Sequence, residues 1–185
     1  MKANKNQIQF SITDAVTASL QPVDQHGNVK INLYRTAAGK RPVLQTYEQS
    51  NPKNIRTAVS SFLYSEIILA DGAIQGLQPG KHHWERTTLK SKPCHKTILY
   101  YGPRAFMNVI LTLEHPNETE PYLVTLFGYN KRILLKTELP SNIITDGHAK
   151  ARAETYAYNF LTEALTDYRL AYQTVADKKF RIPEF

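Results

Sequence analysis

Residues 106–139, FMNVILTLEHPNETEPYLVTLFGYNKRILLKTEL, decide how this chain folds. Met107, Val109, Leu111 and Leu113 recur at every second position up to Glu114, the period of a strand with one buried face. His115-Pro116-Asn117-Glu118 is a turn by its residue types. Two further strands follow, Tyr122 to Tyr129 and Arg132 to Leu139, joined tightly at Tyr129-Asn130-Lys131.

Beyond Pro140 the period changes to that of a helix, from about Gly147 to Val175. Its apolar stripe is Ala153, Tyr156, Ala157, Phe160, Ala164, Tyr168, Ala171, Tyr172 and Val175, with Tyr158, Leu161 and Leu165 lying off it. Toward the N-terminus, Trp84 to Lys90 and Thr97 to Tyr101 read as strands. They are preceded by a loop carrying Gly72, Gly76, Pro79 and Gly80. Asn51-Pro52 supplies a cap and a first-turn proline for a helix with Ile55, Val59, Phe62, Leu63 and Ile67 on one side, stopping near Asp71-Gly72. The first fifty residues alternate again: Ile8 to Leu20, bent near Asp14, then Val29 to Tyr34 and Pro42 to Tyr47. Antiparallel strands gathered into two sets, each followed by a helix, define an α+β fold rather than a doubly wound one. Residues 1–185 read as one domain made of two halves, about 8–75 and 81–175, with a short tail at 176–185.

This order of strands, helix, strands, helix over roughly residues 8–175 resembles the Whirly family of single-stranded nucleic-acid binders. The resemblance implies two four-stranded antiparallel sheets, each followed by a helix, with the helices holding the sheets together. It also implies tetrameric assembly and single strands laid across the sheets. The first half here shows fewer than four clear strands. The lysine-rich KGKAAL-type strand motif of the plant members has no counterpart, so no residue is carried over from the family.

The formal charge of +7 favours polyanionic partners. It is concentrated in residues 81–104, KHHWERTTLKSKPCHKTILYYGPR, where six Lys and Arg meet one acid. The window also holds the only tryptophan, Trp84, the pair Tyr100 and Tyr101, and three of the six histidines. Cations interleaved with aromatic rings suit a single nucleic-acid strand, charge for phosphates and flat faces for bases. Lys81, Arg86, Lys90, Lys92 and Lys96 are the expected phosphate contacts, and Trp84, Tyr100 and Tyr101 the expected stacking rings. Two basic turns are candidates for further contacts: Arg35, Lys40 and Arg41 around Gly39, and Lys131 and Arg132 before Lys136.

Other chemistries find little support. A single cysteine, Cys94, allows no intramolecular disulfide and too few thiolates for a cysteine-based zinc site. His82 and His83 are adjacent and diverge on a strand, so no metal and no cofactor is expected. None of the phosphate-cradling, nucleophile-elbow or zinc-protease motifs occurs, and Cys94 beside His95 is not a dyad, so no catalytic residue is assigned and no enzyme is expected. The polar N-terminus lacks a secretory apolar region, and the longest apolar run, Phe62 to Ala70, is broken by Ser65 and Glu66, so a soluble, intracellular protein without membrane contact is expected. The tail ends Ile182-Pro183-Glu184-Phe185, similar to the partner-docking tip of bacterial single-strand-binding proteins, though Glu184 interrupts the motif and its flank is basic. The expected function is binding of single-stranded DNA or RNA through a basic and aromatic sheet surface, with self-association. The alternative is an oligomeric interaction or assembly subunit that binds no nucleic acid.

Overall fold

The computed structural model describes residues 7–22, 29–36, 43–49, 55–78, 83–90, 92–115, 120–140 and 145–183. The expected α+β class is observed. A four-stranded antiparallel sheet is formed by β1 (Ile8–Ser11), β2 (Val16–Pro22), β3 (Val29–Arg35) and β4 (Val43–Gln49), paired in sequence order. Helix α1 (Ile55–Gly76) follows. A five-stranded antiparallel sheet comes next, β5 (Glu85–Leu89), β6 (Lys92–Tyr100), β7 (Val109–Glu114), β8 (Leu123–Phe127) and β9 (Ile133–Glu138), again in sequence order. Helix α2 (Asp146–Ala176) closes the described fold.

Three elements differ from the sequence reading; the first is β6, which begins at Lys92 rather than Thr97. The segment from Ile8 to Leu20 is not one bent strand but a hairpin, with Ile8 opposite Leu20 and Ser11 opposite Thr17. The reversal is closed by Ile12 and Thr13 N–H donating to the Val16 carbonyl and by Val16 N–H donating to Thr13 Oγ1. Helix α1 does not stop at Asp71-Gly72 but runs to Gly76. Gly72 and Gly76 lie one turn apart on the face that approaches β6, where an added Cβ would overlap the Tyr100 ring at position 72 and the Leu99 carbonyl at position 76. The glycines are there for close approach.

The chain divides into two compact units that do not coincide with its sequential halves: residues 1–67 with 163–185, and residues 68–162. In the first unit, Val16, Ala18, Leu20, Ile31 and Leu33 form the buried face of the sheet. Ala164, Leu165, Tyr168, Ala171 and Val175 of α2 are buried there too, as are Ile55, Val59 and Leu63 of α1. Helix α2 has no basic residue in its last turn. Arg56 of α1 supplies the missing cation, its guanidinium donating to the carbonyls of Val175, Asp177 and Phe180. The tail therefore packs on its own unit as far as Phe180, whose ring lies 6.4 Å from that of Phe10; Glu184 and Phe185 lie outside the described residues.

In the second unit, Val109, Leu111, Leu113, Val124, Leu126 and Leu135 form the buried face, against the first turns of α2 with Ala149, Ala153 and Ala157 at four-residue spacing. Phe160, Ala164 and Tyr168 are buried as expected, whereas Tyr156 is 37% exposed. Leu161 and Leu165, which lie off the sequence-derived stripe, are buried, while Tyr172, on it, is exposed like Tyr156, so the buried face is rotated from the sequence pattern rather than equal to it. By length and composition α1 would suffice to cross a membrane. On it Val59, Leu63, Ala73 and Glu66 are buried within the protein, while Tyr64 and Ile68 are exposed.

Candidate nucleic-acid interface

The basic window folds as the edge of the five-stranded sheet. β5 is the outer strand, and register places Arg86 opposite His95, Thr87 opposite Cys94 and Leu89 opposite Lys92. Paired residues share a face, so the sheet carries defined rows of side chains. Arg86, His95, Leu113 and Val124 form one row on the face toward α2. Glu85, Lys96, Thr112, Thr125 and Lys136 form a row on the opposite, outer face.

Four of the expected cations, Arg86, Lys90, Lys92 and Lys96, lie on the β5–β6 hairpin. Arg86, Lys90 and Lys92 are exposed, Lys90 at φ 49° in the tight turn. Lys96 is half-buried and 3.6 Å from Glu85, an exposed-type pair worth less than about 1 kcal/mol that leaves the ammonium available. The outer face itself is charge-balanced: Lys92, Lys96 and Lys136 share it with Glu85, Glu114 and Glu138. The positive charge thus belongs to the edge rather than to the sheet surface.

The expected aromatic rings separate. Trp84 is half-buried, its indole N–H donating to Glu154 Oε1 of α2 at 2.8 Å. Tyr100 is half-buried with its ring over Gly72 and is not a free platform, whereas Tyr101 is 72% exposed. Lys131 is exposed and Arg132 half-buried in the turn between β8 and β9. That turn is at the opposite end of the sheet from Lys90, roughly 27 Å away along β6 at about 3.4 Å per residue. It forms a second cluster: Phe106 meets Tyr129 edge-on at 5.4 Å, and the Arg104 guanidinium lies 5.8 Å from the Phe106 ring. Arg35, expected on a basic turn, is 2% exposed. It shares the core face with Ile31 and Leu33, where its Nε–H donates to Asp167 Oδ2 at 2.7 Å with Glu163 at 3.6 Å, so it is held inside the first unit. Lys40, Arg41 and Lys81 lie outside the described residues.

A pocket of about 240 Å³ opens beside the hairpin, lined chiefly by Arg86, Cys94, His95, Leu113, His115 and Asp146. Asp146, the first residue of α2, is its centre. Tyr122 Oη donates to Asp146 Oδ1 at 2.7 Å, and His95 Nε2 lies 3.0 Å from Oδ2. His95 Nδ1 is buried with no partner. A carboxylate only accepts, so His95 Nε2–H is the donor of that bond. The Tyr122 hydrogen bond, with those of His95 and the nearby Lys150 charge, holds the Asp146 carboxyl below the usual carboxylate range against the opposing effect of burial. Burial first, then the bond to and charge of Asp146, push the Tyr122 hydroxyl up to about 12. His115 is exposed and stacked flat on Tyr122, ring centres 4.2 Å apart.

Burial, and secondarily Glu114, raise the Cys94 thiol, which favours its neutral form. Cys94 and His95, adjacent on a strand, point to opposite faces, and His95 commits one nitrogen to Asp146 and buries the other. They are not arranged as nucleophile and base. No group of three or more histidine, cysteine or acidic side chains suited to a metal occurs among the described residues.

The network of Tyr122, His95 and Asp146 escaped the sequence reading, which weighed the window as cations interleaved with aromatic rings and His95 only as a metal ligand or a partner of Cys94. The available signal was the alternation of His95, Thr97 and Leu99 along one strand, which turns His95 inward. Asp146, just before the first helical glycine, was the acid at the helix start. Comparison of the chain with family models, with curated proteins and with solved structures gives no match.

Proposed function

We propose that this protein binds single-stranded nucleic acid along the β5–β6 edge of its five-stranded sheet. The observation that carries the reading is the exposure of Arg86, Lys90 and Lys92 on one hairpin beside a base-sized pocket. Phosphates meet the edge cations, and the cluster of Arg104, Phe106 and Tyr129 with the exposed Tyr101 gives a longer strand a second contact. Lys131 adds charge at that end. A free, buried Cys94 is consistent with a reducing, intracellular setting. The test is a titration of labelled single- and double-stranded DNA and RNA at two salt concentrations. Saturable binding of single strands that weakens with salt supports the reading, and no binding at low salt removes it.

One observation favours self-association as a second reading. Ile98, Ile110, Phe127 and Ile133 occupy the outer face at the end of the sheet away from Lys90; Ile133 is 49% exposed and the other three are half-buried. An apolar strip of this kind suits contact with a second copy, and sedimentation of the free chain distinguishes a monomer from an assembly.

A further inference from the structure

We propose that the pocket between the Arg86–His95–Leu113 row and the first turn of α2 is a guanine subsite, which takes one base of the bound strand. This rests on the single-strand reading above. The size is suitable: the pocket holds about 240 Å³, and an apolar cavity of ~150 Å³ already admits a benzene ring.

The chemistry selects among the bases. Asp146 presents a carboxylate, a group that only accepts hydrogen bonds. Tyr122 and His95 each occupy one lone pair of it and fix its orientation. The carboxylate is 44% exposed, so its remaining lone pairs are open to a ligand. Guanine alone among the common bases places two donors side by side, N1–H and the N2 amine, where a carboxylate can accept both. Adenine, cytosine and thymine each set an acceptor beside their donor and would bring a lone pair against the anion. Arg86, on the same wall, is a donor for the guanine O6 and N7 acceptors, the commonest specific pairing of an arginine with a base. A cationic ligand, the other class that would seek a carboxylate, meets Arg86 and the nearby Lys150. Leu113 offers an apolar wall, and the His115 ring, held flat on Tyr122, offers a stacking face at the rim.

The experiment measures anisotropy of the full chain with an eleven-residue oligothymidylate and the same strand carrying one central deoxyguanosine, deoxyinosine or deoxyadenosine. The guanine strand should bind about tenfold more tightly than the thymine strand, a typical value for one bidentate base contact. Deoxyinosine, which lacks the N2 amine, should lose most of that advantage, and deoxyadenosine should show none. Asp146→Asn should bring the guanine-to-thymine ratio close to one. Because Asp146 also anchors α2, its melting curve is recorded alongside. If that variant does not fold, His115→Ala, at an exposed site, decides: a reduced ratio supports the subsite, and a full tenfold ratio overturns it. Equal affinity of the wild-type chain for all four strands overturns the guanine subsite while leaving strand binding intact. Shifts of the His95 and His115 ring signals on adding deoxyguanosine monophosphate, without any oligonucleotide binding, would keep the subsite and remove the strand reading. Neither response would remove both.

Discussion

Asp146 shows how a single carboxylate can organise a site. It takes a hydrogen bond from Tyr122 on one oxygen and from His95 on the other, at the start of a 31-residue helix whose N-terminal partial charge also favours an anion. Tyr122→Phe removes the largest cause that holds the Asp146 carboxyl low and should cost about 1.5–3 kcal/mol, the usual range for a hydrogen bond to a charged group. The pH signature has two arms. A lowered carboxyl stabilises the fold above its unfolded value near pH 3.9 and ceases to do so as pH falls through the folded value. A raised tyrosine stabilises fully below about pH 10, and that contribution is lost as pH rises toward about 12. Denaturation midpoints of the wild type and Tyr122→Phe should therefore differ most between about pH 5 and 9 and converge at both extremes; a constant gap would sink the account.

Arg35 carries the opposite lesson at the same scale. Its charge and its place before a glycine-containing turn make it look like a surface contact, but it continues the parity of Ile31 and Leu33 and so points into the core. The alternation contained this information, and the charge concealed it. Arg35→Ala leaves Asp167 facing a vacated site and should cost about 3 kcal/mol, read by urea denaturation, with oligonucleotide affinity per folded molecule unchanged.

Among the elements, those built from local pattern were legible and those set by distant contacts were not. β3, β8, β9 and α2 fall within a few residues of their expected limits because alternation and helical spacing are written in neighbouring residues. The β1–β2 reversal was hidden because Ile12 and Val16 keep the apolar rhythm through the turn and no glycine marks it. Gly72 read as a helix stop because its reason for being glycine, the Tyr100 ring of β6, lies 28 positions away in sequence. Three substitutions test that explanation by their signs. Gly76→Ala sets a methyl against the backbone carbonyl of Leu99 and should lower stability by about 1–3 kcal/mol despite alanine's helical preference. Gly72→Ala meets a side chain that can swing away and should cost less. Gly147→Ala, in the first turn of α2 with nothing within 4 Å, should instead stabilise by about 0.5–1 kcal/mol. Thermal melts that rank the three otherwise would mean that the glycines serve some purpose other than close approach.

For the molecule as a whole, the question is whether a net charge of +7 acts as a diffuse field or through a defined edge. A diffuse field attracts any polyanion, with every lysine contributing a little and none essential. An edge makes a countable set of contacts. Each phosphate neutralised on a single strand releases counterions and contributes about −0.7 to the slope of log K against log salt. On a strand without guanine, Arg86, Lys90, Lys92 and Lys96 acting together predict a slope near −2.8, and at least about −2 if three engage. Replacing Arg86, Lys90 and Lys92 with glutamine should flatten the slope by about 2. These side chains are exposed, so the fold should be undisturbed. Replacing Lys178, Lys179 and Arg181 removes the same charge from the exposed far end of α2 and its tail, and it should leave the slope nearly unchanged. Equal flattening by the two triple variants would establish the diffuse field and remove the edge as the binding element. A selective loss at the hairpin would tie the net charge, the strand pairing that concentrates it and the pocket beside it to one surface.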